Sequence, residues 1–205
     1  MTTLPSSLKQ IAYFLQRLPG IGEKTANRLA FYMLRLPKED LKNFAENIKD
    51  LKDKTKYCNN CMNLTEETIC NICQDQTRDK TSILVIEDVL DLVSFETGKI
   101  YNGLYHLLHG RIDPLNNIGP DNIYIESLIK RVEKNKVNEV ILATNLDTEG
   151  EATAMYIKAK LNELKKRKKK RFKITRLAYG LPMGSNLEYA DYMTLQKSIQ
   201  GRSDY

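Results

Sequence analysis

Four cysteines, at positions 58, 61, 70 and 73, constrain this chain more than any other feature of its sequence. Their spacing is C-x2-C-x8-C-x2-C, and each C-x2-C turn can offer two thiolates to one ion. Four thiolates close a tetrahedron and leave no position for water or substrate, which is the pattern of a structural zinc rather than a catalytic one. A rubredoxin-like iron site and unliganded core cysteines are the alternatives. The sequence contains no run of about 18 apolar residues, and MTTLPSSLKQ at the N-terminus lacks the basic-then-apolar order of a secretory signal. The expected setting is therefore cytoplasmic, without a membrane, where thiols stay reduced and disulfides are disfavoured.

The net charge of +6 is unevenly spread. Residues 1–57 carry 11 basic and 6 acidic side chains, residues 58–164 carry 10 and 17, and residues 165–171 are seven consecutive cations. A basic first module suits an anionic partner such as nucleic acid, whereas an acidic middle argues against a wholly DNA-facing surface. The basic run itself reads either as a nucleic-acid contact or, more commonly for such runs, as a solvated helix end.

Periodicity divides the chain further. Leu8, Ile11, Ala12, Leu15 and Leu18 mark a helix with one apolar stripe that stops at Pro19-Gly20. Ala26, Leu29, Ala30, Met33 and Leu36 mark a second, ending before Pro37, and Leu41, Phe44, Ala45, Ile48 and Leu51 a third. Residues 58–73 show no period long enough for a regular element. Beyond them the short apolar runs 83–86 and 140–143 read as strands buried on both faces, with further strands near 105–108 and 172–178. Helices are expected around 89–93, 125–132, 150–164 and from about Asp191. Strands alternating with helices at this spacing imply an α/β fold with a mostly parallel sheet.

Two motifs carry chemistry beside the cysteines. Leu18-Pro19-Gly20-Ile21-Gly22 between two helices matches the helix-hairpin-helix pattern, in which Gly20 and Gly22 let backbone N–H groups approach a phosphate. Lys24 and Arg28, four apart, lie on one face of the second helix beside that turn. The plainer reading is an ordinary turn with two solvated cations. Contacts of this kind read the backbone, so binding to DNA is expected to be sequence-independent and salt-sensitive. The other motif is Glu87 at one strand end together with Asp147, Glu149 and Glu151 after another, a carboxylate group at the edge where parallel sheets bind ligands. Such a group can hold Mg2+ against a phosphate, or can simply cap the following helix. His106 and His109, and the tyrosines at 101, 105, 179, 189 and 192, read more readily as packing than as metal ligands or base-stacking groups.

The acidic motif resembles the Toprim domain of topoisomerases, primases and some nucleases, whose signature is a strand-end Glu and a later D-x-D followed by Gly. Asn145 stands where the first Asp of that signature falls. With LPGIGEKTANRLAFYML (18–34), the four cysteines, ILVIED (83–88), TNLDTEGEATAMY (144–156) and RLAYGLPMGSNLEYADYMTL (176–195), the chain resembles the RecR family of bacterial recombination mediators over nearly its whole length. The resemblance implies a helix-hairpin-helix DNA-binding module at 1–56, a C4 zinc finger at 57–80, a Toprim domain at 81–178, and a C-terminal helical segment at 179–205 that contributes an oligomer contact. It implies zinc at the four cysteines and DNA contact at Lys24 and Arg28. It also implies no turnover, and a dimer or ring-like tetramer that encircles DNA and acts with RecO, and with RecF where present, to load RecA recombinase at single-stranded gaps. In that family the Toprim fold serves as an interaction surface, so the segment around Glu149 and Glu151 becomes a candidate contact for partner proteins. The competing expectations are a Mg-dependent Toprim nuclease or topoisomerase-like enzyme using Glu87 and Asp147, and a pure protein adaptor.

Overall fold

The computed structural model describes residues 4–178 and 180–202, so Tyr179 lies outside the described residues. The chain forms two compact units, Met1–Lys54 and Thr55–Tyr205. The first holds three helices, α1 (Ser6–Gln16), α2 (Glu23–Met33) and α3 (Lys38–Lys54). Leu8 and Ala12 of α1 pack against Ala26 and Ala30 of α2, with Leu15 and Ile21 at the margin. Alanines at three of these four positions let the two helices approach closely, but they bury little apolar area. Gly20 takes φ +80°, a left-handed conformation that favours glycine, whereas Gly22 is extended at φ −81° and caps α2.

Much of the apolar stripe expected in this unit faces outward. Leu18, Leu29, Phe44, Ile48 and Leu51 are all exposed, and α3 buries no residue at all. The α2 helix also stops at Met33, short of Leu36: Leu34 and Arg35 form a turn ahead of Pro37, whose ring disfavours helical geometry at the residue before it.

The other unit opens with β1 (Lys56–Tyr57) and β2 (Leu64–Thr65), an antiparallel pair in the register Lys56↔Thr65, followed by the one-turn helix α4 (Asn71–Gln74). The cysteine stretch thus contains regular elements, though each is too short to leave a period in the sequence. Next come β3 (Asp79–Ile86), α5 (Val89–Gly98), β4 (Gly103–Leu107), α6 (Ile125–Lys134), β5 (Glu139–Leu142), α7 (Thr148–Lys168), β6 (Lys173–Arg176) and α8 (Tyr192–Gln200). The sheet order is β4-β3-β5-β6 and every pair is parallel. Both faces are covered. Ile83, Val85, Val140 and Leu142 pack under α6 and α7, while Leu84, Ile86, Tyr105 and Leu107 pack with Leu92 of α5. Ile83 to Ile86 are essentially inaccessible, each contributing roughly 1.5–3 kcal/mol of apolar burial.

From β3 the chain passes outward to β4 and then back to β5 on the other side, so β3 and β5 flank a switch in strand order. At such a switch the loops leave the carboxyl ends in opposite directions and open a crevice. Glu87 follows β3 there, and Asn145 and Asp147 follow β5. α7 is longer than the 150–164 expected and takes in Lys165–Lys168, whose charges sit in its last turn beside the negative end of the helix dipole.

Candidate functional site

The four cysteine sulfurs all lie within 4.8 Å of one another, and Cys58, Cys61 and Cys70 are buried. Zinc–sulfur arms of about 2.3 Å require S···S edges of about 3.8 Å, and the Cys61–Cys70 separation of 3.5 Å is close to that. The Cys70 N–H points at Cys58 Sγ (3.3 Å), a donor that stabilises a thiolate in the way a metal-bound sulfur requires. Hydrogen bonds to Cys70 and Cys73, then burial, push the Cys61 thiol up, while the Cys61 and Cys73 thiols hold Cys70 down. A soft cation that displaces these shared protons fits the donor set, and the four cysteines can hold a metal ion.

This cage is fastened to the sheet. The Leu107 N–H donates to Cys61 O (2.9 Å), and His109 Nε2 lies 2.5 Å from Met62 O. A carbonyl only accepts, so that nitrogen carries the proton. Tyr57 packs on the His109 ring at 4.6 Å between centroids. His106 is fully buried with Nε2 on Tyr124 O (2.9 Å); burial, and next the Arg131 charge, pulls its pKa down to about 3 and keeps it neutral. Both histidines are thus packing and hydrogen-bonding groups, as the sequence suggested.

In the first unit, Lys24 and Arg28 project from α2 as exposed cations beyond the Gly20–Gly22 turn. Among the described residues, no side chain caps the start of α2. An added Cβ at Gly20 or Gly22 would meet nothing within 4 Å among the described residues, so the turn is open to a ligand approaching its backbone. Thr25, Arg28, Leu29, Phe31, Tyr32 and Arg35 line a cleft of about 650 Å3 along the same helix.

At the crevice between β3 and β5, Glu87, Asp147 and Glu151 are all engaged. Glu87 is 6% exposed and accepts two hydrogen bonds from Asn145, from its N–H to Oε1 and from its side-chain amide to Oε2, each 2.8 Å. Burial raises the Glu87 pKa and the Asn145 N–H opposes it. Asp147 caps α7 by accepting from the Gly150 N–H (2.8 Å) and pairs with Arg111. Glu151 pairs with Arg176 (2.7 Å), whose guanidinium also donates to the carbonyls of Leu142, Thr144 and Asn145. Glu149, in the first turn of α7, is only partly exposed. Gly150 packs so tightly that an added Cβ would lie 2.3 Å from Asn145 O and 2.9 Å from Glu87 Oε1. Among the described residues, the cysteines alone bring three or more metal-ligating side chains together; the acidic residues do not. Sequence reasoning missed Arg111, Arg176 and the donor role of Asn145. The Asn in place of an expected Asp was the available signal, since an amide beside a buried carboxylate donates where another carboxylate would repel.

The chain is similar to proteins of known family across nearly its whole length. The Toprim domain family matches residues 81–178, the family described as RecR, helix-hairpin-helix matches residues 8–52, and that described as RecR, C-terminal matches residues 180–203. Recombination protein RecR of Lactobacillus delbrueckii is 46% identical over 201 residues, covering 98% of each chain. The proteins of the same name from Streptococcus sanguinis and Lactococcus lactis are each 46% identical, covering 98% and 97% of this chain. With the hairpin helices, the four-cysteine cage and the parallel Toprim sheet in one chain, the conclusion is that this chain belongs to the RecR family of recombination proteins.

Proposed function

We propose that this chain is a non-catalytic, DNA-binding mediator of recombination and DNA repair. In this reading it works with RecO, and with RecF where present, to load RecA recombinase at single-stranded gaps. The division is the one read from the sequence: a hairpin module at 1–56 that grips the DNA backbone through Gly20, Gly22, Lys24 and Arg28, a zinc-stapled knuckle at 57–80, a Toprim domain at 81–178, and a C-terminal oligomer contact at 179–205. Zinc is the metal that four thiolates without an open position suit best. A dimer or ring-like tetramer agrees with the thin core of the first unit and its outward Phe14, Phe31, Tyr32, Leu34 and Leu51.

The observation that carries the non-catalytic reading is the pair of hydrogen bonds from Asn145 to Glu87. A Mg2+-dependent phosphoryl-transfer centre needs carboxylate oxygens turned toward a shared ion. Here the buried carboxylate is occupied by an amide and Asp147 by a helix start and an arginine, which supports a scaffold role, with the segment around Glu149 and Glu151 in the first turn of α7 as the candidate contact for RecO.

The test incubates the protein with nicked, gapped and supercoiled DNA and Mg2+. The expected result is retention of unaltered DNA, with Lys24→Ala and Arg28→Ala each weakening retention on all sequences and flattening the salt dependence by about one unit per lost phosphate contact. Cleavage or relaxation that Glu87→Ala abolishes would overturn the proposal.

A further inference from the structure

The amino edge of the sheet gathers more charge than the fold uses, and the reading above gives it no role. Residues 130–140 and 165–173 carry 12 basic and 2 acidic side chains, and the structure brings the two segments together where α6 and α7 end. Lys170 bridges them, donating to Val132 O (2.8 Å) and Asn135 O (2.9 Å) at the end of α6. Lys168 and Arg167 reach Glu133 at 2.8 and 3.6 Å. Lys165 lies over the Phe172 ring at 4.7 Å.

Those contacts account for four of the seven cations in the run 165–171. Lys166, Lys169 and Arg171 remain, joined by Lys134 and Lys136 from the end of α6. All five are exposed, and among the described residues none has a carboxylate within 4.0 Å. Two clefts, of about 420 and 380 Å3, indent this edge and share Asn135 and Lys136. Lys80 and Arg131 add cations to the larger, which also reaches Asn60 and Cys73 of the knuckle, and Lys134, Lys170 and Arg171 add them to the smaller.

Like charges held this close repel, and a fold gains nothing from gathering five uncompensated ones. An anion with regularly repeated charge removes that cost. The side chains on offer are ammonium, guanidinium and amide donors, the groups that contact phosphate oxygens in nucleic-acid complexes. A protein partner would be met differently. Protein interfaces are depleted in lysine and anchored by large apolar or aromatic residues, and none of the exposed large hydrophobic residues lies in either segment. Lack of such residues also leaves nothing to insert into a lipid surface.

We propose that this amino edge is a further, sequence-independent binding surface for a nucleic-acid phosphate backbone, centred on Lys136, Lys166, Lys169 and Arg171. It stands whether or not the hairpin turn contacts DNA. The experiment measures labelled single- and double-stranded DNA binding by anisotropy across a salt series. It compares the parent, Lys169→Gln with Arg171→Gln, Lys24→Ala with Arg28→Ala, and all four changes together, and it includes a charge-matched control, Lys99→Gln with Lys158→Gln. Losing two phosphate contacts at the amino edge should weaken duplex binding on the order of 10- to 60-fold near 0.1 M salt and flatten the salt slope by about 1.8. The loss should appear in the hairpin-mutant background as well, and the control should bind as the parent does. Unchanged affinity and slope in the Lys169/Arg171 variant would overturn the proposal. So would an equal loss in the control, which would make overall charge responsible, or unchanged DNA binding with loss of binding to anionic phosphatidylglycerol vesicles or to an acidic protein.

Discussion

The two ends of the Toprim sheet make opposite use of charge. At the carboxyl edge three carboxylates have partners: Glu87 holds Asn145, Asp147 holds Arg111 and the start of α7, and Glu151 holds Arg176. At the amino edge the cations outnumber their partners. The acidic set resembles an enzyme's metal site in sequence and behaves as joinery in space. The basic set reads in sequence as a solvated helix end, yet in space it leaves charge over. What distinguishes a surface poised for a ligand from one that is structural is the balance of satisfied and unsatisfied groups, and that balance is invisible until long-range contacts are known.

If this contrast holds, substitutions at the carboxyl edge cost stability and those at the amino edge do not. Arg176→Ala should cost most. It strips three backbone carbonyls and Glu151 of their shared donor, about 3 kcal/mol or more in urea unfolding, whereas a loss under about 1 kcal/mol would mean that water replaces the guanidinium easily. Gly150→Ala should follow, at roughly 1–3 kcal/mol, because the new methyl meets a backbone carbonyl rather than a side chain that can turn aside. Thermal unfolding of that variant checks it directly.

Glu87→Gln is a smaller and pH-dependent case. Burial raises the folded pKa of Glu87 above its ordinary 4.5, so between the two values the native state binds more protons than the unfolded one. This carboxylate's contribution to stability therefore falls as pH rises through that window, and the loss is complete above the folded pKa. Relative to the parent, Glu87→Gln should gain stability with rising pH and then level off. A difference that runs the other way would show that the Asn145 hydrogen bonds outweigh the burial. Lys169→Gln with Arg171→Gln should change stability by no more than about 0.5 kcal/mol while changing DNA binding. A large stability loss there would move those cations to the structural side of the comparison.

Sequence reveals these features unevenly, for physical reasons. The cysteine cage is legible because metal chemistry fixes ligand type and spacing within a few residues, and β3 and β5 are legible because strands covered on both faces must be apolar without a break. Leu29, Phe44 and Ile48 show the limit: periodicity identifies a helix face but not whether this chain covers it. The two-residue strands β1 and β2 are too short for any period. Arg111 and Arg176 reach partners 36 and 25 residues away, and contacts at such separations follow the fold rather than any local rule. Asn145 was legible as a departure from the Toprim signature. Its meaning, a donor in place of a ligand, needed the distance to Glu87.

The segment leaving β4 bonds to three parts of the molecule within six residues. Leu107 and His109 bond to the knuckle at Cys61 and Met62, Leu108 and Gly110 to Ile86 and Glu87, and Arg111 and Ile112 to Asp147 and Thr153. A strip stitched in this way opens as a whole or not at all, so its amides at Leu107, Leu108, Gly110 and Ile112 should exchange with solvent deuterium at one common rate. Stripping the metal from the cysteines would then speed exchange as far along as Ile112, making the strip a slow clock that reports at the acidic crevice whether the cage is filled.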